Sequence, residues 1–405
     1  MTIDSGWVKI LKSARPAAFS GSLPARPGTV FIDGQIKLMK GSHVRTWKQF
    51  VEMQFFYTIE KAFETGAHTV VLGFDNYQHV PTAKNMTQRK RSQHVPAVDF
   101  TSASELPERL PEYWDAAMRN RSFKSKVMTL VCNNVRRKYA DGARTVVLDF
   151  TDDVEVLGHP RELAVGARRG ECDIKAFAYL GSEPLLVMST DGDFVPLALL
   201  QIERAVQAGA PPPRVLLYRI KTTQAGEKRK LGREMEYVDA TALYAFLAAE
   251  LNAARPAQCF ACMVAATGCD FTMNLPQLGP AKLWAHRHVL TATLNSGASP
   301  EAVLCMLMRA YTELFITRVR LKREAAPLPL DRALAATTAM LAAVQRTAQV
   351  GQRVRSAMWT PERMLAHAKN TLWTVLYWTL LNEHPDPLAG DFGFARAANG
   401  VKFAP

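Results

Sequence analysis

No apolar run in the chain approaches 18 residues, so the sequence offers no candidate for a membrane-spanning helix. Met1 to Gly6 is polar rather than leader-like, and the expectation is a soluble intracellular protein with no membrane partner. Cysteine is sparse, with six residues in 405 and no paired framework. A disulfide-stapled secreted scaffold is thereby disfavoured, and reduced thiols are expected. Cys259 and Cys262 form a lone C-x-x-C, followed by Cys269. No second pair or suitable His completes a zinc site, and the surrounding run is apolar, so packing is the expected role. No internal repeat is visible. Acid is the scarce charge: 37 Asp and Glu stand against 50 Lys and Arg, a formal net charge of +13.

What is present is apolar mass, 48% of residues, enough for one large domain or two to three linked ones. A basic chain that gathers its few acids in one place suits a polyanion. The surface draws in phosphates while the acids hold metal. The plain alternative is a solvated basic surface.

The acids do gather. Gly170-Glu171-Cys172-Asp173 precedes a predicted helix from Ile174 to about Leu180. A Gly-Ser-Glu-Pro turn and a buried strand, Leu185 to Met188, lead to Ser189-Thr190-Asp191-Gly192-Asp193. Val30-Phe31-Ile32-Asp33 and Val70-Val71-Leu72-Gly73-Phe74-Asp75 are apolar runs that end in an acid, and Asp270 lies in Gly268-Cys269-Asp270-Phe271. In an open α/β sheet, ligands bind outside the carboxyl ends of the strands. Carboxylates delivered to one edge repel each other in a low dielectric, and hard cations relieve the repulsion. An all-oxygen set suits Mg²⁺, with Mn²⁺ an acceptable substitute. Asp33, Asp75, Glu171, Asp173, Asp191, Asp193 and Asp270 are enough for two ions, the arrangement that serves in-line displacement at phosphorus.

The order and spacing of these acids resemble the flap endonucleases and their xeroderma-pigmentosum-G-type relatives, the structure-specific 5′ nucleases. That family has Asp after the first strand, an "FDG" turn, an E-x-E pair, a D-x-D pair and "GCDY…GIGPK". Here they stand as Asp33, Phe74-Asp75-Asn76, Glu171-Cys172-Asp173, Asp191-Gly192-Asp193, and Gly268 to Phe271 with Leu278-Gly279-Pro280-Ala281-Lys282, across roughly residues 28 to 290. Each piece is weak alone, and the specificity lies in their order. The resemblance implies a PIN-like, mostly parallel twisted α/β sheet flanked by helices, with a helical arch over the site. It implies that Arg89, and Lys84 displaced by about two residues, steady the scissile phosphate as catalytic groups, a role suited to the planar fork of Arg. Lys90 and Arg91 continue that basic run toward DNA. It further implies a helix–turn–helix whose Gly279 presents backbone amides to a duplex phosphate, with Lys282 nearby. The N-terminus departs from the family pattern, and no sliding-clamp box is evident from Gly390 to Pro405. The "VPTAKNMTQRKR" segment is more similar to flap-endonuclease-like proteins of large DNA viruses.

The remaining chain fills in the organisation. Residues 1–27 read as irregular, with Pro16, Pro24 and Pro27. Trp47 to Thr65 carries apolar residues at helical spacing. Residues 76–141 form the basic arch, ending in a helix from Asp115 to Ala140, suited to clamp or thread a single strand. Asp152, Asp153 and Glu155 read as loop acids after the strand Arg144 to Phe150. Strands alternating with helices imply crossover connections. Glu227 to Arg233 reads as a charged hairpin or loop, and Trp373 to Leu381 as core. The expected domains are a nuclease core over 1–255, a duplex-binding module over 256–300 and a helical region over 301–405. The expected function is Mg²⁺-dependent, structure-specific 5′ nuclease action on branched, flapped or broken DNA in replication, recombination or repair. A PIN-type ribonuclease, a plain 5′ exonuclease and a catalytically silent DNA-binding scaffold are the alternatives.

Overall fold

The computed structural model describes residues 3–39, 41, 44–76, 109–151, 153–159, 170–224, 231–269, 272, 279–295, 298–315, 329–346, 360–381, 386–388, 390–397 and 400–403. Lys84, Arg89, Lys90, Arg91 and Asp270 lie outside these, as do residues 77–108 of the expected arch.

Four short apolar runs make the centre of one eight-stranded sheet. The strands are β1 (Phe19–Ser20), β2 (Thr29–Asp33), β3 (Thr69–Gly73), β4 (Thr145–Asp149), β5 (Glu155–Leu157), β6 (Leu185–Met188), β7 (Val215–Gln224) and β8 (Leu231–Asp239). Their order is β1-β8-β7-β6-β2-β3-β4-β5. The five central strands, β7-β6-β2-β3-β4, run parallel. Antiparallel partners close both edges: β5 on β4, and the β7–β8 hairpin with β1 on β8. Strands buried on both faces need no alternation, and β2, β3, β4 and β6 accordingly read as continuous Val, Leu and Ile runs.

The expectation of a mostly parallel α/β sheet flanked by helices is met. One face packs against the helices Phe194–Gln207, Ala240–Leu251, Pro256–Ala266, Pro300–Phe315 and Pro361–Leu380 in a single apolar cluster. The other face carries the Trp47–Glu64 helical stretch and the Arg121–Tyr139 helix. Among the described residues, no helix is long and apolar enough to cross a membrane.

Four local expectations are corrected. Residues 3–14 form a helix rather than an irregular lead-in, because Trp7, Val8 and Leu11 fall on one face and bury there. Trp7 donates its indole N–H to Thr267 Oγ1 at 3.0 Å and meets the Phe260 ring edge-on at 5.3 Å. The prolines that follow mask this periodicity in the sequence. The Trp47–Thr65 helix contains a wide π-turn at Glu52–Phe56, where the Tyr57 N–H reaches Glu52 O. The element after Glu171 is a single turn, Cys172–Lys175, that tightens into a 3₁₀ turn at Ala176–Tyr179. Finally, Glu155 sits in a strand, not a loop, and its two carboxylate oxygens take the Arg136 guanidinium fork at 2.5 and 2.6 Å.

The helix 361–380 begins as its Thr-Pro start dictates, with Thr360 Oγ1 accepting from Arg363 N at 3.3 Å. At its middle, His367 is buried and donates from Nε2 to Ala266 O at 3.0 Å. Burial holds its pKa down at about 4, with the carbonyl contact opposing weakly. A histidine kept neutral in the fold binds its proton more readily when unfolded. Stability is therefore fully present above the unfolded value of about 6.5 and declines as pH falls toward 4. The slope from this one group approaches about 1.4 kcal/mol per pH unit. Urea midpoints measured from pH 7.5 to 4.5 should fall more steeply in the wild type than in His367→Gln, which retains a donor for Ala266 and cannot titrate.

Candidate functional site

Register places the site. Asp33 is the last residue of β2 and lies opposite Gly73 of β3, which lies opposite Asp149 of β4; Ile32 lies opposite Met188 of β6. Four strand ends therefore finish at one level, and the next residues of each chain segment meet beyond them.

Asp33 is buried. Its Oδ1 accepts from Ile36 N at 3.2 Å, capping the turn Gly34–Leu38, and its Oδ2 accepts the Ser189 hydroxyl at 2.8 Å. Gly34 is required here, since a Cβ would stand 2.4 Å from the Phe74 ring and 2.6 Å from Gly73 O. Ser189 Oγ in turn accepts from Asp191 N at 3.0 Å, and Asp191 Oδ1 accepts from Asp193 N at 3.1 Å. One hydrogen-bonded string thus ties Asp33 to the Asp191–Asp193 pair. Burial raises the Asp33 carboxyl to about 6; the Ser189 and Ile36 contacts oppose this, while the charges of Asp191 and Asp75 add to it.

A second string ties in the other pair. Asp75 is buried and its Oδ1 accepts from Cys172 N at 2.9 Å, while Asn76 N donates to Gly170 O at 2.7 Å. Gly170 takes φ +77°, a left-handed turn that suits glycine and lets the chain double back on the end of β3. Glu171 follows at 1% exposure, and Asp173 opens the Cys172–Lys175 turn. The two strings are neighbours. The Cys172 thiol is pushed well up, by burial first and then by Asp33, Asp75 and Asp173. The Tyr377 hydroxyl is pushed up by burial and by Glu171, Asp173 and Asp75.

Of the seven expected metal-binding acids, Asp33, Asp75, Glu171, Asp173 and Asp191 share one electrostatic neighbourhood, and Asp193 joins through Asp191. Asp270 is outside the described residues. The donor set fits a hard divalent cation: all oxygen, partly buried, mutually repelling. Among the described residues, however, no three acidic, His or Cys side chains stand in the closer arrangement that would itself hold an ion. Gly279 caps the Pro280–Ala285 helix in extended conformation with open space where a Cβ would be, and Lys282 lies in that helix's last turn. The Pro280 ring packs on Gly6 of the N-terminal helix. Cys259 and Cys262 are buried in the Pro256–Ala266 helix, where burial pushes both thiols up, Cys259 to about 12.

Four neighbours of the site, Asp149, Lys175, Tyr179 and Tyr377, escaped the reading of the sequence. Asp149, at the end of β4, is fully buried and pairs with Lys175 Nζ at 3.0 Å. Lys175 Nζ also donates to Phe74 O at 3.0 Å, and the Tyr179 hydroxyl donates to Asp149 Oδ2 at 2.8 Å. The signal existed: Thr145-Val146-Val147-Leu148-Asp149 is another apolar run ending in an acid. Tyr377 reads in the sequence as core, which it is, stacked on Trp373 at 5.2 Å.

A scan against protein-family models finds no match for this chain, and a search of curated proteins finds none.

The Asp149–Lys175 pair locks the turn carrying Glu171 and Asp173 to the end of β3. Removing one partner strands the other charge in a site that water cannot reach. Lys175→Met should cost about 3–5 kcal/mol in urea unfolding. Asp149→Leu combined with Lys175→Met should recover more than half of that loss, since the pair then leaves no orphan charge.

Proposed function

We propose that the chain is a divalent-metal-dependent, structure-specific 5′ nuclease that hydrolyses DNA phosphodiester bonds. The observation that carries this is the delivery of five carboxylates from four separate parts of the chain to one sheet edge, in a protein of net charge +13. The family resemblance read from residues 28 to 290 adds the reaction class.

Asp33, Asp75, Glu171, Asp173, Asp191 and Asp193, with Asp270, are the groups that would hold Mg²⁺ ions. When bound, such ions lower the pKa of an attacking water and stabilise the leaving oxygen. The chain's own part is to position donors. Ser189 fixes one Asp33 oxygen, the Ile36 N–H fixes the other, and the Cys172 N–H fixes Asp75. Asp191 is exposed and is the member most able to meet substrate-side solvent. Arg89 and Lys84, which follow Asp75 in the chain, are assigned to the scissile phosphate on the resemblance. Lys90 and Arg91, then Gly279 and Lys282, are assigned to the DNA on the same ground. The substrate is DNA with a flap, branch or broken end.

A silent DNA-binding scaffold is the second reading, favoured by the open spacing of the described acids. One panel separates them. Wild type incubated with 5′-flap, nicked, gapped and blunt duplex DNA, and with single-stranded RNA, should cut the branched DNAs in Mg²⁺ or Mn²⁺ and not in EDTA. Asp191→Asn should lower cutting roughly a thousandfold, as expected for loss of an ion worth several kcal/mol to the transition state, with DNA binding retained. Binding without cutting by the wild type in both metals makes the scaffold reading correct; preference for RNA makes the enzyme a ribonuclease.

A further inference from the structure

Among the described residues, Lys175 is the only lysine or arginine that is buried, at 1% exposure. It stands four residues after Glu171 and two after Asp173, beside the acids, where a divalent cation would repel it. Stability is weak ground for such a charge. Apolar residues of the same volume often hold a fold as well as a buried ion pair does. The hydrogen bonds around Lys175 give it another role.

Three consecutive residues at the end of β3 are gripped by the segment from Gly170 to Lys175. The Asn76 N–H donates to Gly170 O at 2.7 Å, Asp75 Oδ1 accepts from Cys172 N at 2.9 Å, and Phe74 O accepts from Lys175 Nζ at 3.0 Å. Of these donors, only Lys175 Nζ belongs to a side chain. The same ammonium bonds Asp149 Oδ1 at 3.0 Å, and the Phe74 N–H donates to Asp149 O at 2.9 Å. The Lys175 N–H donates to Glu171 O at 3.1 Å, so the residue that closes the Glu171 turn also reaches behind Asp75. These bonds make a ring from Asp75 to Cys172, along the turn to Lys175, across to Phe74 and back to Asp75. With the Lys175 bond in place the Phe74–Asp75 peptide is fixed. Without it, the Asp75 carboxylate can pivot about its contact with Cys172.

We propose that Lys175 is a positioning residue for divalent-cation binding: through the Phe74 carbonyl it fixes where the Asp75 carboxylate stands relative to Glu171 and Asp173. The inference rests on the metal-binding reading above. Mg²⁺ demands near-ideal octahedral geometry with oxygens at roughly 2.0–2.1 Å, so a carboxylate free to pivot is a poorer ligand for it. Asp149 then has a second task besides answering the Lys175 charge, which is to aim the ammonium at Phe74 O. Tyr179, which donates to the other Asp149 oxygen at 2.8 Å, steadies the pair without touching Phe74 O.

The test titrates the full chain with Mn²⁺, reads the free ion by electron paramagnetic resonance, and sets each Kd beside a urea midpoint. Asp149→Leu with Lys175→Met removes one charge of each sign, so the net charge of the site is unchanged. This variant should fold and bind Mn²⁺ about tenfold more weakly than wild type, as expected when a partner of a ligand is lost. Asp149→Asn with Lys175→Met keeps an acceptor for Tyr179 and should do the same. Tyr179→Phe should lower the urea midpoint, because a buried Asp149 oxygen loses its donor, yet keep the wild-type Kd. A folded double variant with the wild-type Kd overturns the proposal. So does a Tyr179→Phe Kd that rises in step with the lost stability, or the failure of both double variants to fold, since either makes the role of the cluster structural only. Wild type that takes up no Mn²⁺ overturns the metal reading itself, whereas equal uptake by wild type and double variant overturns the role of Lys175 alone.

Discussion

Repulsion among carboxylates at the end of a parallel sheet is the constraint that shapes this molecule. Asp33, Asp75, Glu171, Asp173 and Asp191 meet where four strands finish together, and folding must hold them there against their mutual charge. The fold does so with hydrogen bonds that favour the ionised form. The Ser189 hydroxyl and the N–H groups of Ile36, Cys172 and Asp193 each donate to one of these acids. Each such charge-assisted bond is stronger than a neutral one, yet burial still wins at Asp33, whose carboxyl rises to about 6. A site that remains uphill for its own charges is a site that favours a cation.

The surroundings are built to keep that edge rigid. The β2, β3, β4 and β6 strands are apolar between their end residues and buried there, so their register cannot slip without moving every acid. Lys175 and Asp149 pin the Glu171 turn from below, and Tyr377 closes the far side from the Pro361–Leu380 helix. That helix is anchored in the core by Trp373 and Trp378, and Gln201 bonds the Trp378 carbonyl at 2.9 Å. The carboxyl-terminal helices therefore serve the site indirectly, by packing the sheet face on which the edge depends.

How much of this was legible in the sequence follows from what each signal encodes. An apolar run ending in an acid encodes both a buried strand and a ligand at its tip, which is why β2, β3 and β6 and their acids were readable. The short edge strands β1 and β5, of two and three residues, carry no such run and were missed. The N-terminal helix was missed because its described apolar face is short, Trp7, Val8 and Leu11 with Ile10 packed beside them, and nearby prolines outweigh so few residues in any composition argument. Tyr377 was unreadable in principle, since a ring in a helical apolar stripe looks alike whether it faces a methyl group or a carboxylate. The π-turn at Glu52–Phe56 was equally hidden, because a one-residue widening leaves helical periodicity nearly intact.

Asp149 and Asp33 show where local reasoning stops. Both end apolar five-residue strands, both are buried, and both stand at the same edge. Their difference lies elsewhere in the chain. Asp149 meets the ammonium of Lys175, 26 residues on, and the Tyr179 hydroxyl, and so its charge is answered by the protein itself. Asp33 meets a neutral serine and two further acids, and its charge is answered by no side-chain cation among the causes that set its pKa. The same sequence pattern thus yields a structural ion pair in one strand and a candidate ligand in the next. What decides between them is whether the fold delivers a lysine or another carboxylate.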